Sequence, residues 1–351
     1  MKKLLGGVCF MLTCALFAAT PATSAPVNNK PSQTVESSGY LTRSDVKAFI
    51  DDLIKEHQFS RKELETILGQ AEKSERALAL ISKPAESQLE WKDYRKIFMT
   101  PERITKGVEF WQKNANVLNL IEKEYGVPAD VIVAIIGIET YYGRQTGGFR
   151  VIDTLTTLGF DYPRRSQFFR KELENFLVLT REQNLNVSEL TGSYAGAMGI
   201  PQFMPSSYRA YAVDYTGDKQ ANIWKAEEDA IASVANYLKK HGWQSGKPVA
   251  SRARVSGIKY EQALSTGLKP DKKLSKVQSS GWSAPNVVPP SSKVLAMKLK
   301  GQEGSEYWLG MNNFYVITRY NRSRMYALAV HQLAEAVIKD YKKAQSKVKQ
   351  P

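Results

Sequence analysis

The sequence predicts a mainly α-helical (α+β) protein with one small antiparallel β insertion. Two observations favour this fold class. Apolar residues recur with helical spacing over most of residues 40–246 and again near the C-terminus. Between about residues 247 and 318, Pro, Gly and Ser are frequent and separate short β-type runs. A length of 351 residues suggests roughly two domains, or one domain with insertions.

Residues 1–25 are typical of a secretory signal peptide. A positive start, Met1–Lys3, precedes an apolar run of about 15 residues, whereas a membrane span needs about 20. Small residues follow, and cleavage after Ala22, Ser24 or Ala25 fits them. An uncleaved anchor is the alternative interpretation.

The two cysteines of the chain, Cys9 and Cys14, both lie in this segment. The residues before them do not form a lipoprotein box, so we expect an exported, periplasmic protein with at most peripheral membrane association. Removal of the segment leaves no thiol, which excludes a cysteine protease, a zinc–thiolate site and a disulfide scaffold. Residues 26–39, rich in Pro, Asn and Ser, are expected to form a flexible leader.

Residues 40–125 are predicted to form an N-terminal helical domain. A capping box, Ser60 with Glu63, starts one of its helices. A Thr-Pro pair at Thr100 starts another, which the apolar spacing extends through Leu118.

Residues 126–246 are predicted to form the helical core. A helix begins at Pro128 and contains Val131–Ile138, which is apolar nearly all round and should therefore be buried. A later amphipathic helix ends at Gly242.

Residues 247–318 are predicted as the β insertion, and residues 319–345 as a C-terminal helix that returns to the core. The candidate strands are Val249–Val255, Lys293–Leu299, Glu306–Leu309 and Phe314–Arg319.

Glu139 is the first candidate for a chemical role, because it ends the apolar run of the core helix. Desolvation raises the pKa of a carboxyl group, which can then donate a proton near neutral pH. Tyr141, Tyr142 and Gly143 follow, as suits the opening of a cleft. On position alone, a glutamate that points to solvent is an equally good interpretation.

A Gly-rich segment, Gly192–Pro205, is the second candidate. Small residues allow a backbone to approach a ligand closely. Ser193 and Gln202 offer neutral hydrogen-bonding groups for hydroxyl and acetamido groups, and the rings of Tyr194 and Phe203 are suited to stacking on sugar faces. A simple Gly-rich connector is the alternative.

Taken together, several motifs in order resemble the membrane-bound lytic transglycosylase B family, glycoside hydrolase family 103. They are Ile138–Gly143, Tyr162–Arg165, Gly192–Tyr208 and Ser233–Tyr237, and the resemblance runs from about Tyr40 to Tyr341. It implies a goose-type-lysozyme-like helical catalytic core. It also implies cleavage of the β-1,4 bond between N-acetylmuramic acid and N-acetylglucosamine in peptidoglycan.

The resemblance further implies that Glu139 is a single catalytic acid/base, whereas most glycosidases use two carboxyl groups. The glutamate would protonate the glycosidic oxygen and then accept the proton of the muramoyl C6 hydroxyl, which attacks C1 of its own sugar. The attack is intramolecular, consumes no water and leaves a 1,6-anhydromuramic end. No cofactor is required for this chemistry.

Other positions are carried over as substrate-binding residues. They are Ser193, Gln202, Phe203, Tyr320, Tyr326, Tyr94, Tyr237, Arg164 and Arg165. Arginine near the anionic peptide of the muramoyl group has a physical reason, because its guanidinium matches carboxylates. For each tyrosine, core packing with a bonded hydroxyl is the alternative, and it is stronger for Tyr94 and Tyr237.

The stretch from Asp214 to Asp229 resembles the family's EF-hand-like calcium loop. Its candidate ligands are Asp214, Thr216, Asp218, Gln220 through its carbonyl, and either Glu228 or Asp229 as the closing carboxylate. Lys219 stands where the sharp turn favours Gly. A structural calcium ion is therefore expected on even terms with sodium or an empty loop.

The excess of basic over acidic residues is a further feature of the composition. Lys and Arg number 49 against 35 Asp and Glu, a net charge of +14, or +12 once Lys2 and Lys3 are subtracted. The charge is spread along the chain, which suits attraction to anionic peptidoglycan. The signal peptide argues against a nucleic-acid binder, and so does the lack of an Arg/Lys-rich helix or a recognisable motif for base readout. The expected partners are glycan strands and cell-wall enzyme complexes, and the chain is expected to be a monomer.

Two alternatives to a transglycosylase stay open. One is a hydrolytic muramidase, in which water is the acceptor. The other is a non-catalytic peptidoglycan-binding scaffold, against which Glu139 beside a complete Gly192–Gln202 segment argues.

Overall fold

The computed structural model describes residues 39–82, 89–285 and 288–348. The predicted signal peptide and all but the last residue of the predicted leader lie outside these residues. Within the described part of the chain, no helix combines the length and the apolar character needed to cross a bilayer.

The architecture is mainly helical with a small antiparallel sheet, which confirms the predicted fold class. The helices are α1 (Ser44–His57), α2 (Arg61–Leu68), α3 (Glu75–Ile81), α4 (Trp91–Phe98), α5 (Pro101–Lys113), α6 (Ala115–Tyr125), α7 (Ala129–Thr140), α8 (Val151–Asp161), α9 (Ser166–Glu182), α10 (Pro205–Tyr211), α11 (Glu227–Lys240), α12 (Leu274–Ser279), α13 (Asn312–Tyr320) and α14 (Arg324–Val348). The strands are β1 (Phe149–Arg150), β2 (Thr191–Gly192), β3 (Ala250–Val255), β4 (Lys272–Lys273), β5 (Trp282–Ser283), β6 (Lys293–Gly301) and β7 (Gly304–Gly310). Short 3₁₀ helices lie at Gly39–Thr42, Pro163–Arg165 and Lys259–Ala263.

The capping signals begin helices where they were predicted. The hydroxyl of Ser60 accepts the Glu63 N–H at 3.1 Å, and the hydroxyl of Thr100 accepts the Arg103 N–H at 3.2 Å. Each bond satisfies one of the N–H groups that a helix N-terminus leaves without an internal partner.

The apolar spacing predicted that the helix after Thr100 would continue through Leu118, and this prediction is wrong. The helix ends at Lys113, and α6 begins at Ala115. The side-chain amide of Asn114 donates to the Phe110 carbonyl at 3.0 Å and to the carboxylate of Glu227 at 2.8 Å. This long-range bond to the start of α11 holds the break in the helix.

Helix α7 lies at the centre of the main core. Ten of its twelve residues are buried, which confirms the expectation drawn from its apolar run. Helices α5, α6, α11 and α14 pack against it. Because most of α7 is buried, the half-buried Glu139 near its C-terminal end lies at the edge of this core.

The antiparallel sheet has the strand order β4-β6-β7-β3-β5 and its own small core. Three of the four predicted strands are confirmed as β3, β6 and β7. The fourth prediction, a strand at Phe314–Arg319, is wrong, because these residues form most of α13. Their β-branched residues favoured a strand, but burial of residues 313, 314, 316 and 317 makes one face of a helix. The last helix accordingly begins at Arg324 and not at residue 319.

A second, two-stranded sheet joins the segment after α7 to the Gly-rich segment. Phe149 pairs with Gly192, and Arg150 pairs with Thr191. This pairing places the start of the Gly-rich segment beside the connection that leaves the end of α7.

Candidate active site

Glu139 lies in the last turn of α7, and its carboxylate meets a tyrosine from the far end of the chain. The hydroxyl of Tyr326 donates to Glu139 Oε1 at 2.6 Å. Tyr326 is fully buried in the first turn of α14, whereas Glu139 is half-buried. The packing of α14 on α7 brings together two residues 187 positions apart. The structure therefore brings Glu139 into contact with one of the tyrosines that the sequence analysis singled out.

The backbone directly after Glu139 is strained. Tyr141, Tyr142 and Gly143 have φ values of 52°, 61° and 81°, all in the left-handed region. Such a conformation costs a non-glycine residue about 1–3 kcal/mol. The N–H groups of Tyr141 and Tyr142 donate to the carbonyls of Gly137 and Ile136 at 3.2 and 3.3 Å, which ends the helix in a tight turn.

The ring of Tyr142 is enclosed between helices. Its hydroxyl donates to the Arg103 carbonyl at 2.9 Å. A Cβ at Gly107 or Gly137 would lie 2.5 or 2.6 Å from the Tyr142 ring or hydroxyl, so both positions need glycine. Burial raises the pKa of Tyr142, and its hydroxyl stays neutral.

Thr140 connects the end of α7 to the Gly-rich segment. Its hydroxyl donates to the Ile200 carbonyl at 2.9 Å and accepts the Gly143 N–H at 3.0 Å. One buried hydroxyl thereby fixes the turn after Glu139 against residues 192–204.

The Gly-rich segment is an ordered turn rather than a plain connector. The hydroxyl of Ser193 accepts the N–H groups of Ala195 and Ala197 at 3.2 and 3.1 Å. A Cβ at Gly199 would lie 2.6 Å from the Ile223 carbonyl oxygen, and Gly199 has a φ of 65°. Ser193 thus accepts two bonds and retains its own proton for donation.

Gln202 is held in one orientation. Its side-chain nitrogen donates to the carbonyls of Thr146 and Gly199 at 3.0 and 2.9 Å. Among the described residues, no donor is paired with the amide oxygen of Gln202, which is half-buried. The side chain therefore offers an acceptor whose direction is set by the two bonds that its nitrogen makes.

Three predicted aromatic residues form a single cluster. The ring centroids of Phe203 and Tyr237, Phe203 and Tyr320, and Tyr237 and Tyr320 lie 5.6, 5.9 and 4.7 Å apart. The hydroxyl of Tyr320 donates to the Pro201 carbonyl at 2.6 Å, and that of Tyr237 donates to the Arg319 carbonyl at 2.5 Å. Burial raises the pKa of Tyr320 well above its usual value, and the negative charge of Glu139 raises it further.

The burial of several rings corrects their predicted role. Phe203 is 2% exposed, so it supports Tyr237 and Tyr320 from behind and presents no face to a sugar. Tyr94 is 3% exposed and packs with Trp91 and Phe98, as the packing alternative described. Tyr237, at 6%, and Tyr194, at 9%, are also core residues by this measure.

Arg164 and Arg165 lie on the short 3₁₀ helix that connects α8 to α9. Arg164 is exposed. The guanidinium of Arg165 lies 4.4 Å from the ring centroid of Phe168, and burial lowers the pKa of Arg165. Stacking on the ring holds this guanidinium in place while it stays charged.

The loop from Asp214 to Asp229 is closed by hydrogen bonds of its own. The fully buried carboxylate of Asp229 accepts the N–H groups of Tyr215, Thr216 and Asn222 at 2.7–3.0 Å. The carboxylate of Asp214 accepts the N–H groups of Gly217 and Lys219 at 2.6 and 2.8 Å. Asp218 accepts the N–H of Gln220 at 2.9 Å, and Lys219 has the left-handed φ of 74° that Gly would adopt more easily.

Three of the candidate calcium ligands, Asp214, Asp218 and Asp229, thus accept backbone N–H groups of the loop itself. Among the described residues, the loop contributes no group of three acidic or histidine side chains whose ligand atoms lie within 4.8 Å of one another. Asp229 was one of two candidates to close the site, and its oxygens are committed to backbone N–H groups instead. Glu228 is half-buried and makes no such bond to the loop among the described residues.

Two residues of the site were not singled out from the sequence. Thr140 follows Glu139, but a threonine at a helix end carries no distinctive signal. Arg103 is a basic residue in the first turn of α5, and its guanidinium donates to the Gly137 carbonyl. Only the packing of α5 on α7 reveals that contact.

Comparison with known proteins places this arrangement in context. Residues 42–335 match the family described as transglycosylase SLT domain. The chain is 40% identical over 307 residues to membrane-bound lytic murein transglycosylase B of Escherichia coli (strain K12), covering 85% of this chain and 84% of that protein.

Solved structures are similar over a comparable length. Soluble lytic transglycosylase SltB1 from Pseudomonas aeruginosa is 50% identical, with a TM-score of 0.81 over 84% of this chain and 99% of that one. The Escherichia coli lytic transglycosylase Slt35 in complex with calcium is 40% identical, with a TM-score of 0.77 over 87% of this chain and 96% of that one.

Proposed function

The chain belongs to the transglycosylase SLT domain family, and from this premise we propose that Glu139 is its catalytic acid/base. It is an enzyme, a lytic transglycosylase that acts on peptidoglycan, and the chemistry needs no cofactor. The observation that carries the role of Glu139 is the 2.6 Å bond from the buried Tyr326 hydroxyl to its carboxylate, at the end of the most enclosed helix.

In the first step, protonated Glu139 donates its proton to the oxygen of the glycosidic bond. The bond between C1 of N-acetylmuramic acid and this oxygen breaks, and N-acetylglucosamine leaves with a free 4-hydroxyl group. Positive charge develops on C1 and its ring oxygen, while Glu139 becomes a carboxylate. The Tyr326 hydroxyl, which donates to Oε1, stabilises this ionised form.

In the second step, the carboxylate of Glu139 accepts the proton of the muramoyl C6 hydroxyl. The C6 oxygen attacks C1 and closes a 1,6-anhydro ring, so no water is consumed and Glu139 is protonated again. The nucleophile belongs to the same sugar as C1, and proximity therefore replaces a second carboxylate.

Two polar side chains of the Gly-rich segment are proposed to bind the sugars. Ser193 already accepts two backbone N–H groups, so its proton is available to a substrate oxygen. Gln202 uses its nitrogen within the protein, so its amide oxygen is available to a sugar hydroxyl or acetamido N–H. Tyr320 is proposed to border the same subsites, supported by Phe203 and Tyr237.

Arg164 and Arg165 are proposed to meet the anionic peptide attached to the muramoyl group. Arg164 is exposed, and Arg165 is held by its stacking on Phe168. A charged, planar guanidinium in a fixed position suits a peptide carboxylate.

The setting of the enzyme is proposed from its sequence. We propose export to the periplasm by residues 1–25, a leader at 26–39, an N-terminal helical domain at 40–125 and a catalytic core at 126–246. Residues 247–318 form a unit around the antiparallel sheet in this proposal, and 319–345 return to the core. A monomer that acts on glycan strands, alone or beside other cell-wall enzymes, needs no further partner.

Digestion of purified peptidoglycan sacculi tests the proposal. The wild type is expected to release fragments with anhydro ends, which weigh one water less than reducing ends in mass spectrometry. Glu139→Gln should release none, because an amide neither donates nor accepts the proton. Glu75→Gln, at an exposed carboxylate paired with Lys73, is the matched control and should retain activity.

The other outcomes select the alternatives. Reducing ends in place of anhydro ends would identify a hydrolytic muramidase. Binding of sacculi without cleavage by the wild type would identify a non-catalytic scaffold. Retained cleavage by Glu139→Gln would show that another group is the acid/base.

A further inference from the structure

We propose that Arg103 is a positioning residue of the active site. Its side chain and its backbone together hold the end of α7 and the turn at residues 141–143, and through them they set the position of the Glu139 carboxylate. This inference rests on the proposed catalytic role of Glu139.

The first contact is at the end of the catalytic helix. Nη1 of Arg103 donates to the carbonyl oxygen of Gly137, two residues before Glu139. The same carbonyl accepts the N–H of Tyr141 at 3.2 Å. A carbonyl oxygen has two lone pairs and can accept both bonds. The carbonyls in the last turn of a helix carry partial negative charge, so a cation that binds one of them stabilises the helix end.

The second contact is with the first strained residue of the turn. The guanidinium carbon of Arg103 lies 4.6 Å from the ring centroid of Tyr141 and 5.4 Å from that of Phe98. The guanidinium is therefore placed between a ring of α4 and a ring of the turn. Tyr141 has a φ of 52°, and attraction between the cation and the ring stabilises its side chain in the position that it takes in this turn.

The third contact is made by the backbone of Arg103. Its carbonyl oxygen accepts the hydroxyl of Tyr142 at 2.9 Å, and its N–H donates to the hydroxyl of Thr100 at 3.2 Å. The second strained residue is thus tied to the first turn of α5, which is itself fixed by its cap. Tyr141 and Tyr142, the two residues with positive φ that follow α7 directly, are both held by Arg103, one by its side chain and one by its backbone.

The type of residue follows from these contacts. A guanidinium donates in its plane and stacks through its face at the same time, whereas the ammonium group of lysine is a point charge. Lysine at this position would retain the charge and reach a carbonyl but would not stack on two rings. We therefore expect lysine to restore only part of the function of arginine.

The position of Glu139 matters because acid/base catalysis depends on geometry. Displacement of a catalytic group by about 1 Å is sufficient to lower a rate about 100-fold. Sugar binding is proposed for other residues, Ser193 and Gln202 of the Gly-rich segment above all, whereas the contacts of Arg103 described above are with the end of α7 and the turn after it. Loss of Arg103 should therefore lower kcat with little change in KM.

The experiment compares Arg103→Met, Arg103→Lys and Tyr142→Phe with the wild type on a soluble tetrasaccharide of alternating N-acetylglucosamine and N-acetylmuramic acid. Anhydro products are quantified by mass spectrometry to obtain kcat and KM. The Kd of the tetrasaccharide is measured with and without Arg103→Met in a Glu139→Gln background. Arg61→Met, which breaks an exposed pair with Asp51 on the surface, is the matched control.

We expect Arg103→Met to lower kcat about 30- to 100-fold, with KM and Kd within about threefold of their reference values. Arg103→Lys should be intermediate, Tyr142→Phe should lower kcat about three- to tenfold, and Arg61→Met should match the wild type. A folded Arg103→Met with wild-type kcat would overturn the inference. So would a rise in KM and Kd as large as the fall in kcat, because that result indicates a role in binding.

Thermal unfolding of each variant separates positioning from folding. If Arg103→Met does not fold, the kcat values of Arg103→Lys and Tyr142→Phe test the inference instead. A wild-type kcat in both of these folded variants would overturn it. The proposed function fails separately, when Glu139→Gln retains activity. An inactive Glu139→Gln beside a fully active Arg103→Met would reject the role of Arg103 alone.

Discussion

Replacement of Tyr326 by phenylalanine removes one oxygen atom from the centre of the site. The ring of Tyr326 is fully buried, and phenylalanine preserves its shape and packing. The lost group is the hydroxyl that donates to Glu139 Oε1 at 2.6 Å. Tyr326→Phe therefore isolates the contribution of one hydrogen bond to the function of the carboxylate.

The length of this bond sets the expected magnitude. A distance of 2.6 Å is typical of a hydroxyl that donates to an ionised carboxylate. Such bonds contribute about 1.5–3 kcal/mol, and each 1.4 kcal/mol corresponds to about a tenfold change in rate. We expect kcat to fall about 10- to 100-fold, while the free energy of unfolding falls by no more than about 3 kcal/mol.

The pH dependence of the rate should change in a defined direction. The Tyr326 hydroxyl stabilises the ionised form of Glu139 relative to the protonated form. Without it, Glu139 stays protonated to a higher pH, and the pH optimum of kcat should move upward. A merely structural role of Tyr326 would not move this optimum.

The assay measures kcat from pH 4 to 9 on the soluble tetrasaccharide, together with thermal unfolding. Tyr341→Phe is the matched control on the same helix, since the Tyr341 hydroxyl accepts a bond from the exposed Gln345 side chain and its ring stacks on Trp111 at 4.4 Å. A folded Tyr326→Phe with kcat within threefold of the wild type and an unmoved optimum would refute the reasoning.

Three further predictions concern stability. Gly137→Ala should lower the free energy of unfolding by about 1–3 kcal/mol in denaturant titration, because its Cβ would lie 2.6 Å from the Tyr142 ring. Gly267→Ala, whose Cβ would have nothing within 4 Å, should be nearly neutral, and equal effects would contradict the explanation. Burial raises the pKa of Glu172, which accepts the N–H and hydroxyl of Ser206. Because the pKa of this carboxyl is raised in the folded protein, its contribution to stability is fully present below its unfolded pKa and is lost as the pH rises through its folded pKa. The melting temperature of Glu172→Gln relative to the wild type should therefore rise from pH 4 to 7, and a difference independent of pH would argue against this. Calcium at 1 mM should raise the free energy of unfolding by no more than about 0.4 kcal/mol relative to an EDTA-treated sample, which is the value for a Kd of 1 mM. A larger stabilisation, measured by thermal unfolding, would show that the 214–229 loop binds the ion despite its internal hydrogen bonds.

The helical frame and the place of Glu139 could be predicted because their signals are local. Ser60 and Thr100 each cap a helix by accepting the N–H three residues further on, so the signal and the helix start are close in sequence. A helical run that is apolar all round indicates a buried helix wherever it occurs. The same local rules failed at residues 314–319, where β-branched residues favoured a strand. Burial against the neighbouring helices and strand β7 decided for helix instead.

The candidate site required contacts that no local pattern encodes. The family resemblance indicated Tyr326 as a residue of the cleft, but its bond to Glu139 exists only because α14 packs on α7. Phe203 was expected to stack on a sugar face, which requires an exposed ring, but the fold buries this ring. In the same way, only the folded loop shows that Asp229 accepts three backbone N–H groups.

Local sequence was thus sufficient for most helices, and for the buried α7 with a carboxylate near its end, because periodicity and capping act over a few residues. Tertiary structure alone decided which groups face that carboxylate. Arg103 shows the reason: its guanidinium bonds to a carbonyl 34 positions away, and such a contact depends on how two helices pack.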